Sequence, residues 1–145
     1  MSDAAYGEDV HAWARERFGG ARVARLATLT PSGDPHVVPV VFALAGEVIW
    51  TPVDAKPKSG RRLQRLRNIE ADPRVTLLVD HYDEDWSSLW WVRADGVATI
   101  VSLESEHGRH AVELLTAKYP QYAAEPPPGP LIRVDVAGWR SWSAG

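Results

Sequence analysis

From Arg22 to Thr51 the chain reads RVARLATLTPSGDPHVVPVVFALAGEVIWT. Residues 22–30 have the composition of a strand, and Pro31-Ser32-Gly33-Asp34 follows as a turn, because proline presets one backbone angle and glycine permits the reversal. Residues 35–44 then read as a second strand. Val38, Val40, Phe42 and Leu44 alternate with Val37, Pro39, Val41 and Ala43, so both faces are apolar and both should be covered. Pro39 has no N–H to give a ladder, which predicts an edge or a bulge. Gly46 closes a hairpin into a third strand, Glu47 to Thr51. Strands joined by turns this short are antiparallel.

The flanks extend the pattern. Upstream, Val10, Trp13, Ala14 and Phe18 recur at helical spacing, predicting a helix over about residues 8–18 that Gly19-Gly20 stops. Downstream, residues 52–58 read as a loop, and Ser59 is placed to cap a helix over about residues 60–70 with Leu63, Leu66 and Ile69 on one face. Pro73 ends that helix, and Val75 to Asp80 reads as a fourth strand. Trp86 to Val101 reads as a long fifth stretch interrupted at Asp95-Gly96, by either a hairpin turn or a bulge. Ser102 is expected to cap a helix ending near Lys118, and a stiff Pro126–Pro130 linker precedes a last strand from Leu131 to Val136. The expected fold is mainly β with flanking helices, a six-stranded antiparallel barrel rather than a layered βαβ sheet.

The chain has 145 residues, enough for a single domain over residues 1–145 with its own core. Hydrophobic residues make up 45% and charged residues 24%, the balance of a globular domain. A formal charge of −3 gives no global basic excess, so no nucleic-acid partner is expected. The absence of cysteine excludes disulfides, thiolate metal sites and cysteine nucleophiles. No apolar run approaches the roughly 20 residues of a membrane span. The polar start lacks the basic and apolar regions of a signal peptide, so a cytoplasmic location is expected, with no membrane partner.

Of the 16 basic residues, 7 fall between Lys56 and Arg74. In an extended run Lys56 and Lys58 point to the same side, about 7 Å apart. The helix start behind Ser59 would add free N–H groups, and Arg61 and Arg62 planar, two-pronged donors. Three readings of this segment stand: a solvated basic helix, a phosphate site, and a nucleic-acid surface. Neither a GxxxxGK nor a GxGxxG pattern occurs. His107 and His110 sit three apart without a third ligand at a definite spacing, so no metal is expected. No GxSxG elbow and no evident set of catalytic side chains is present, and an enzyme of that kind borrows its chemistry from a cofactor. Trp90 and Trp91 would face opposite sides of a strand, one toward the barrel and one toward a cleft or a subunit contact.

These segments, in this order, resemble the flavin- and deazaflavin-binding split β-barrels related to pyridoxamine-phosphate oxidase, most closely the coenzyme F420-dependent enzymes. The matching residues are Arg22 to Thr30 with the Pro31-Ser32-Gly33 turn, Pro35 to Val40, Trp50 to Lys58, Leu66 to Ile69, Pro73 to Asp80, and Leu89 to Gly96. The resemblance implies a six-stranded split barrel working as a homodimer, with the cofactor in a groove between subunits. It implies that Lys56, Lys58 and Arg61 or Arg62 hold the cofactor phosphate. The backbone around Val38, Pro39 and Val40 and that of Trp50, Thr51 and Pro52 would lie along the ring system. Asn68 is carried over as a structural or cofactor contact and Trp91 as a pocket wall. The implied activity is hydride transfer between coenzyme F420 and a small-molecule acceptor, with His36 and Arg93 as candidate proton donors. An FMN-dependent oxidoreductase on the same fold is the alternative, and a non-catalytic carrier of flavin, deazaflavin or haem is a third reading.

Overall fold

The computed structural model describes residues 10–53 and 63–145. Seven strands form one antiparallel sheet: β1 (Ala24–Leu29), β2 (Pro35–Val40), β3 (Ala43–Ala45), β4 (Val48–Pro52), β5 (Arg74–His81), β6 (Trp90–Val101) and β7 (Leu131–Ser143). Helices α1 (Ala12–Gly20), α2 (Gln64–Ala71) and α3 (Glu106–Lys118) flank it. The strand order is β2-β1-β5-β6-β7-β4-β3.

That order explains the curvature. β2 and β3 lie at opposite edges of the sheet, yet only Val41 and Phe42 separate them in the chain. So short a link requires the sheet to curl until its two edges approach, which gives a half-barrel with its core inside. Residues 35–44, expected as one strand, are therefore two. The first six residues pair with β1, and the chain then leaves that ladder and pairs with β4. This split accounts for the seventh strand. Pro39 does lie on an edge strand, opposite Arg25 of β1.

Inside the curl, Leu26, Phe42, Ile49, Leu77, Val79, Val92, Ile132 and Val134 are fully buried. α1 adds Phe18, whose ring packs 4.9 Å from Phe42 and 5.4 Å from Trp139 between centroids. α2 contributes Leu66 and Ile69 to the same core. A second cluster lies on the opposite side of the β3–β4–β7 region, where α3 sets Ala111 and Leu115 against Trp50 and Leu131.

Several boundaries depart from expectation. The third helix starts at Glu106, not after Ser102, because Ser105 supplies the cap by accepting the Gly108 amide at 2.9 Å. Ser102 instead builds the preceding turn, its carbonyl accepting from the Ser105 hydroxyl at 2.8 Å. The first helix runs through Gly19 to Gly20. For the second, Ser59 lies outside the described residues and the helix begins at Gln64. β6 passes through Asp95 and Gly96 without a turn. The irregularity lies on β7, where Gly138 and Val136 face Asp95 and Gly96 and leave Ala137 as the extra residue. Gly96 is required there, because a Cβ would press into the Asp135 carbonyl. β7 continues past Val136 to Ser143, absorbing Trp139 and Trp142.

Candidate functional site

Where the ends of β2 and β4 meet the start of α2, a cleft of about 180 Å³ opens between Val23, Pro39, Val40, Val41, Pro52 and Arg65. Its walls are apolar apart from Arg65. Both prolines lack the N–H that would otherwise need a partner at this break in the ladders. Segment 54–62 leaves from Val53 and returns at Leu63, next to two lining residues of this cleft, Pro52 and Arg65. Lys56, Lys58, Arg61 and Arg62 belong to that segment and lie outside the described residues.

Pro39, Val40 and Pro52 are thus brought together. The other predicted residues around them diverge. Val38 is half-buried and packs against the core. Trp50 is 4% exposed and turns away under α3, with the Arg133 guanidinium 5.6 Å from its ring centroid. Thr51 is fully buried on the other face of β4, and its Oγ1 has no hydrogen-bond partner among the described residues. Only the backbone of Trp50 and Thr51 continues the cleft-side strand. Asn68 is also fully buried. Its Nδ2 donates to Thr28 Oγ1 at 2.9 Å and its Oδ1 accepts from Gln64 Nε2 at 2.7 Å, while Gln64 in turn accepts from Arg67. The Nδ2 end ties α2 to β1 and the Oδ1 end is taken within α2 by Gln64, so this residue positions the helix beside the cleft.

Trp91 lies elsewhere, on the outward face of the sheet. With Leu78, Tyr82, Leu89, Trp90 and Trp142 it lines a largely apolar hollow of about 430 Å³ that Asp80, His81 and Arg93 border. His81 stacks on Trp90 at 6.0 Å with 17° between planes, and Arg93 pairs with Asp95 at 3.2 Å. His36 sits on β2, with Nδ1 buried and without a partner among the described residues. His107 lies beside Arg133, with 3.3 Å between its Nδ1 and the guanidinium. Among the described residues no three His, Asp or Glu side chains converge as a metal site would need. None of the described helices is long and apolar enough to cross a membrane.

One group of contacts was not legible in the sequence. Tyr119, at the C-terminal end of α3, places its hydroxyl 3.2 Å from the Phe42 nitrogen, 3.1 Å from the Phe42 oxygen and 2.8 Å from the Arg22 oxygen. Lys118 donates to the Gly19 carbonyl at 3.1 Å and lies 3.8 Å from the centre of the Phe42 ring. Burial, with Arg22 nearby, pulls the Lys118 ammonium down to about 8. Burial pushes the Tyr119 phenol above its ordinary value. This cluster supports the Val41–Phe42 link, and Val41 is part of the cleft wall.

Comparison with known proteins is consistent with this architecture. No curated protein matches the chain. Among solved structures, a conserved hypothetical protein from Mycobacterium tuberculosis is 25% identical with a TM-score of 0.71, covering 99% of this chain and 86% of that one. The haem storage protein HutZ from Vibrio cholerae is 16% identical with a TM-score of 0.70, covering 90% and 89%. A FAD-binding protein from Mesorhizobium loti is 17% identical with a TM-score of 0.69, covering 97% and 92%. The last two show the fold alone. A family model described as pyridoxamine 5'-phosphate oxidase matches residues 11–143, nearly the whole chain, and with the curled antiparallel sheet this places the protein in that family.

Proposed function

We propose that the protein is an oxidoreductase that binds the deazaflavin coenzyme F420 and transfers a hydride between it and a small-molecule acceptor. The observation that carries this reading is the convergence of Pro39, Val40 and Pro52 with Arg65 in one cleft, at the two ends of the segment that holds Lys56, Lys58, Arg61 and Arg62. The apolar walls suit one face of a flat conjugated ring, and a cation at the rim suits its phosphate. The coenzyme, when bound, supplies the hydride-carrying carbon. The chain's own share is to grip the anionic end, present backbone and proline edges to the ring, and keep water from its apolar side.

The cofactor is proposed to lie between the two subunits of a homodimer. Val23 and Val37 are 41% and 60% exposed. Val23 lines the cleft, and Val37 shares with Pro39 the outward side of β2, so a second copy laid over this edge would cover both. FMN carries a phosphate as well and is the alternative ligand. That a FAD-binding and a haem storage protein share the fold supports titrating all three classes. The deciding experiment titrates purified protein with coenzyme F420, FMN and haem. F420 binding tightest, with turnover over a panel of conjugated acceptors, is the expected result. Tight FMN binding with none of F420 would overturn the reading.

A further inference from the structure

Beside α1, at the ends of β1, β5 and β6, lies a second hollow next to the aromatic one. Glu16, Arg17, Arg22, Arg25, Asp80 and His81 are among the residues lining a space of about 540 Å³. The two hollows adjoin at Asp80, His81 and Trp90, giving one cleft region with an aromatic end and an arginine end. In the ladder, Leu78 stands between Arg25 on β1 and Arg93 on β6, which sets guanidinium groups on both sides of the apolar floor. Arg17 is held 5.8 Å from the Trp90 ring and 5.4 Å from that of Trp13. Arg25 is exposed and makes no hydrogen bond, ion pair or ring contact with any described residue. Counting both ends, Arg17, Arg22, Arg25 and Arg93 stand against three carboxylates, Glu16, Asp80 and the Asp95 that pairs with Arg93.

We infer that this cleft binds a flat, fused-ring aromatic acid, with its rings against Trp91 and Trp142, which pair across β6 and β7, and its carboxylate toward Arg17 and Arg25. Aromatic walls select a planar ligand by stacking, and the surplus of guanidinium groups selects an anion. A neutral ring system would leave Arg25 unpaired. A non-aromatic acid would leave the tryptophan surfaces against water. The inference goes beyond the cofactor reading and does not depend on it, since it uses none of the residues assigned to the phosphate.

The test titrates the cofactor-free protein with pyrenebutyrate and, in parallel, with pyrenebutanol, which has the same ring and no charge. The readout is transfer of tryptophan fluorescence to pyrene. The acid should bind about tenfold tighter than the alcohol, as expected for one charge-assisted contact in a partly exposed site. Arg17→Gln/Arg25→Gln should abolish that preference and leave the alcohol unchanged. Trp142→Ala, at an exposed position, should weaken both probes at least fivefold. Equal affinities for acid and alcohol, a preference that survives the double arginine change, indifference to Trp142→Ala, or no binding of either probe would each overturn the inference. Lys56→Ala/Lys58→Ala should bind pyrenebutyrate like the parent, and loss there would overturn it by assigning the probe to the cofactor cleft. Failure of F420 to bind, with the probe results as expected, sinks only the cofactor reading.

Discussion

The Tyr119 hydroxyl bridges the two main-chain polar groups of Phe42, 3.2 Å from its nitrogen and 3.1 Å from its oxygen. Phe42 lies in the two-residue link where the chain leaves one sheet edge for the other, so neither ladder serves it. A side chain from α3 stands in for the missing strand partner. Tyr119→Phe keeps the ring and removes the bridge, leaving the buried Phe42 amide without its partner. The expected cost is about 1–3 kcal/mol, read as a lower urea midpoint with an unchanged slope. An unchanged midpoint would mean that water replaces the hydroxyl at no cost.

Lys118 gives the same corner a pH dependence. Its folded value is about 8 against 10.5 for the free side chain, with burial as the leading cause and Arg22 as the second. Between those values the unfolded chain binds more protons than the folded one, so this group's contribution to stability rises from about pH 8 upward. Tyr119 acts oppositely above about pH 10, because its raised value makes the folded state hold a proton that the unfolded chain releases. The measurable window is therefore pH 8 to 10. Relative to Lys118→Met, the parent should gain stability across it in urea titrations; parallel curves would refute the assignment.

Asn68 and Thr28 test whether α2 is fixed to β1 by their 2.9 Å hydrogen bond. Asn68→Ala should destabilise by about 2–3 kcal/mol, since it removes a buried amide and strands the Thr28 hydroxyl. Thr28→Val alone should cost less. A double-mutant cycle should return a coupling of about 1 kcal/mol, and additivity would show that the two residues act separately.

How much of this was readable follows from what each signal encodes. Alternation marks a strand but carries no information about its partner, so residues 35–44 read as one strand although they serve two ladders. Proline chemistry is local and did place Pro39 at an edge, as the strand order has it. Serine capping is local too, yet Ser102 and Ser105 offer the same hydroxyl, and only the turn that Ser102 builds for itself decides between them. On the site, Pro39, Val40 and Pro52 line one cleft, while the Trp50 side chain is taken up by the cluster under α3, a contact that only the packing of that helix creates. The arginine end of the cleft beside α1 had no sequence signature. Arg17, Arg22 and Arg25 come from a helix, a linker and a strand, and meet His81 and Trp90 only when the sheet forms.

The lysine pair carries the remaining weight. If Lys56 and Lys58 both contact a cofactor phosphate, each contributes a charge-assisted hydrogen bond worth about 1.5–3 kcal/mol. Losing both should weaken binding by about a hundredfold or more. Lys56→Ala/Lys58→Ala is then expected to fold with the parent's thermal midpoint, because lysine side chains rarely belong to a packed core. Its F420 affinity should fall by that factor, and the parent's affinity should decline with added salt more steeply than the variant's, because only the parent has these charges to screen. An affinity unchanged by the substitution would move the phosphate away from this segment. A parallel drop in thermal midpoint would instead make the lysines part of the fold. Measuring the melt and the titration on the same preparation separates the two.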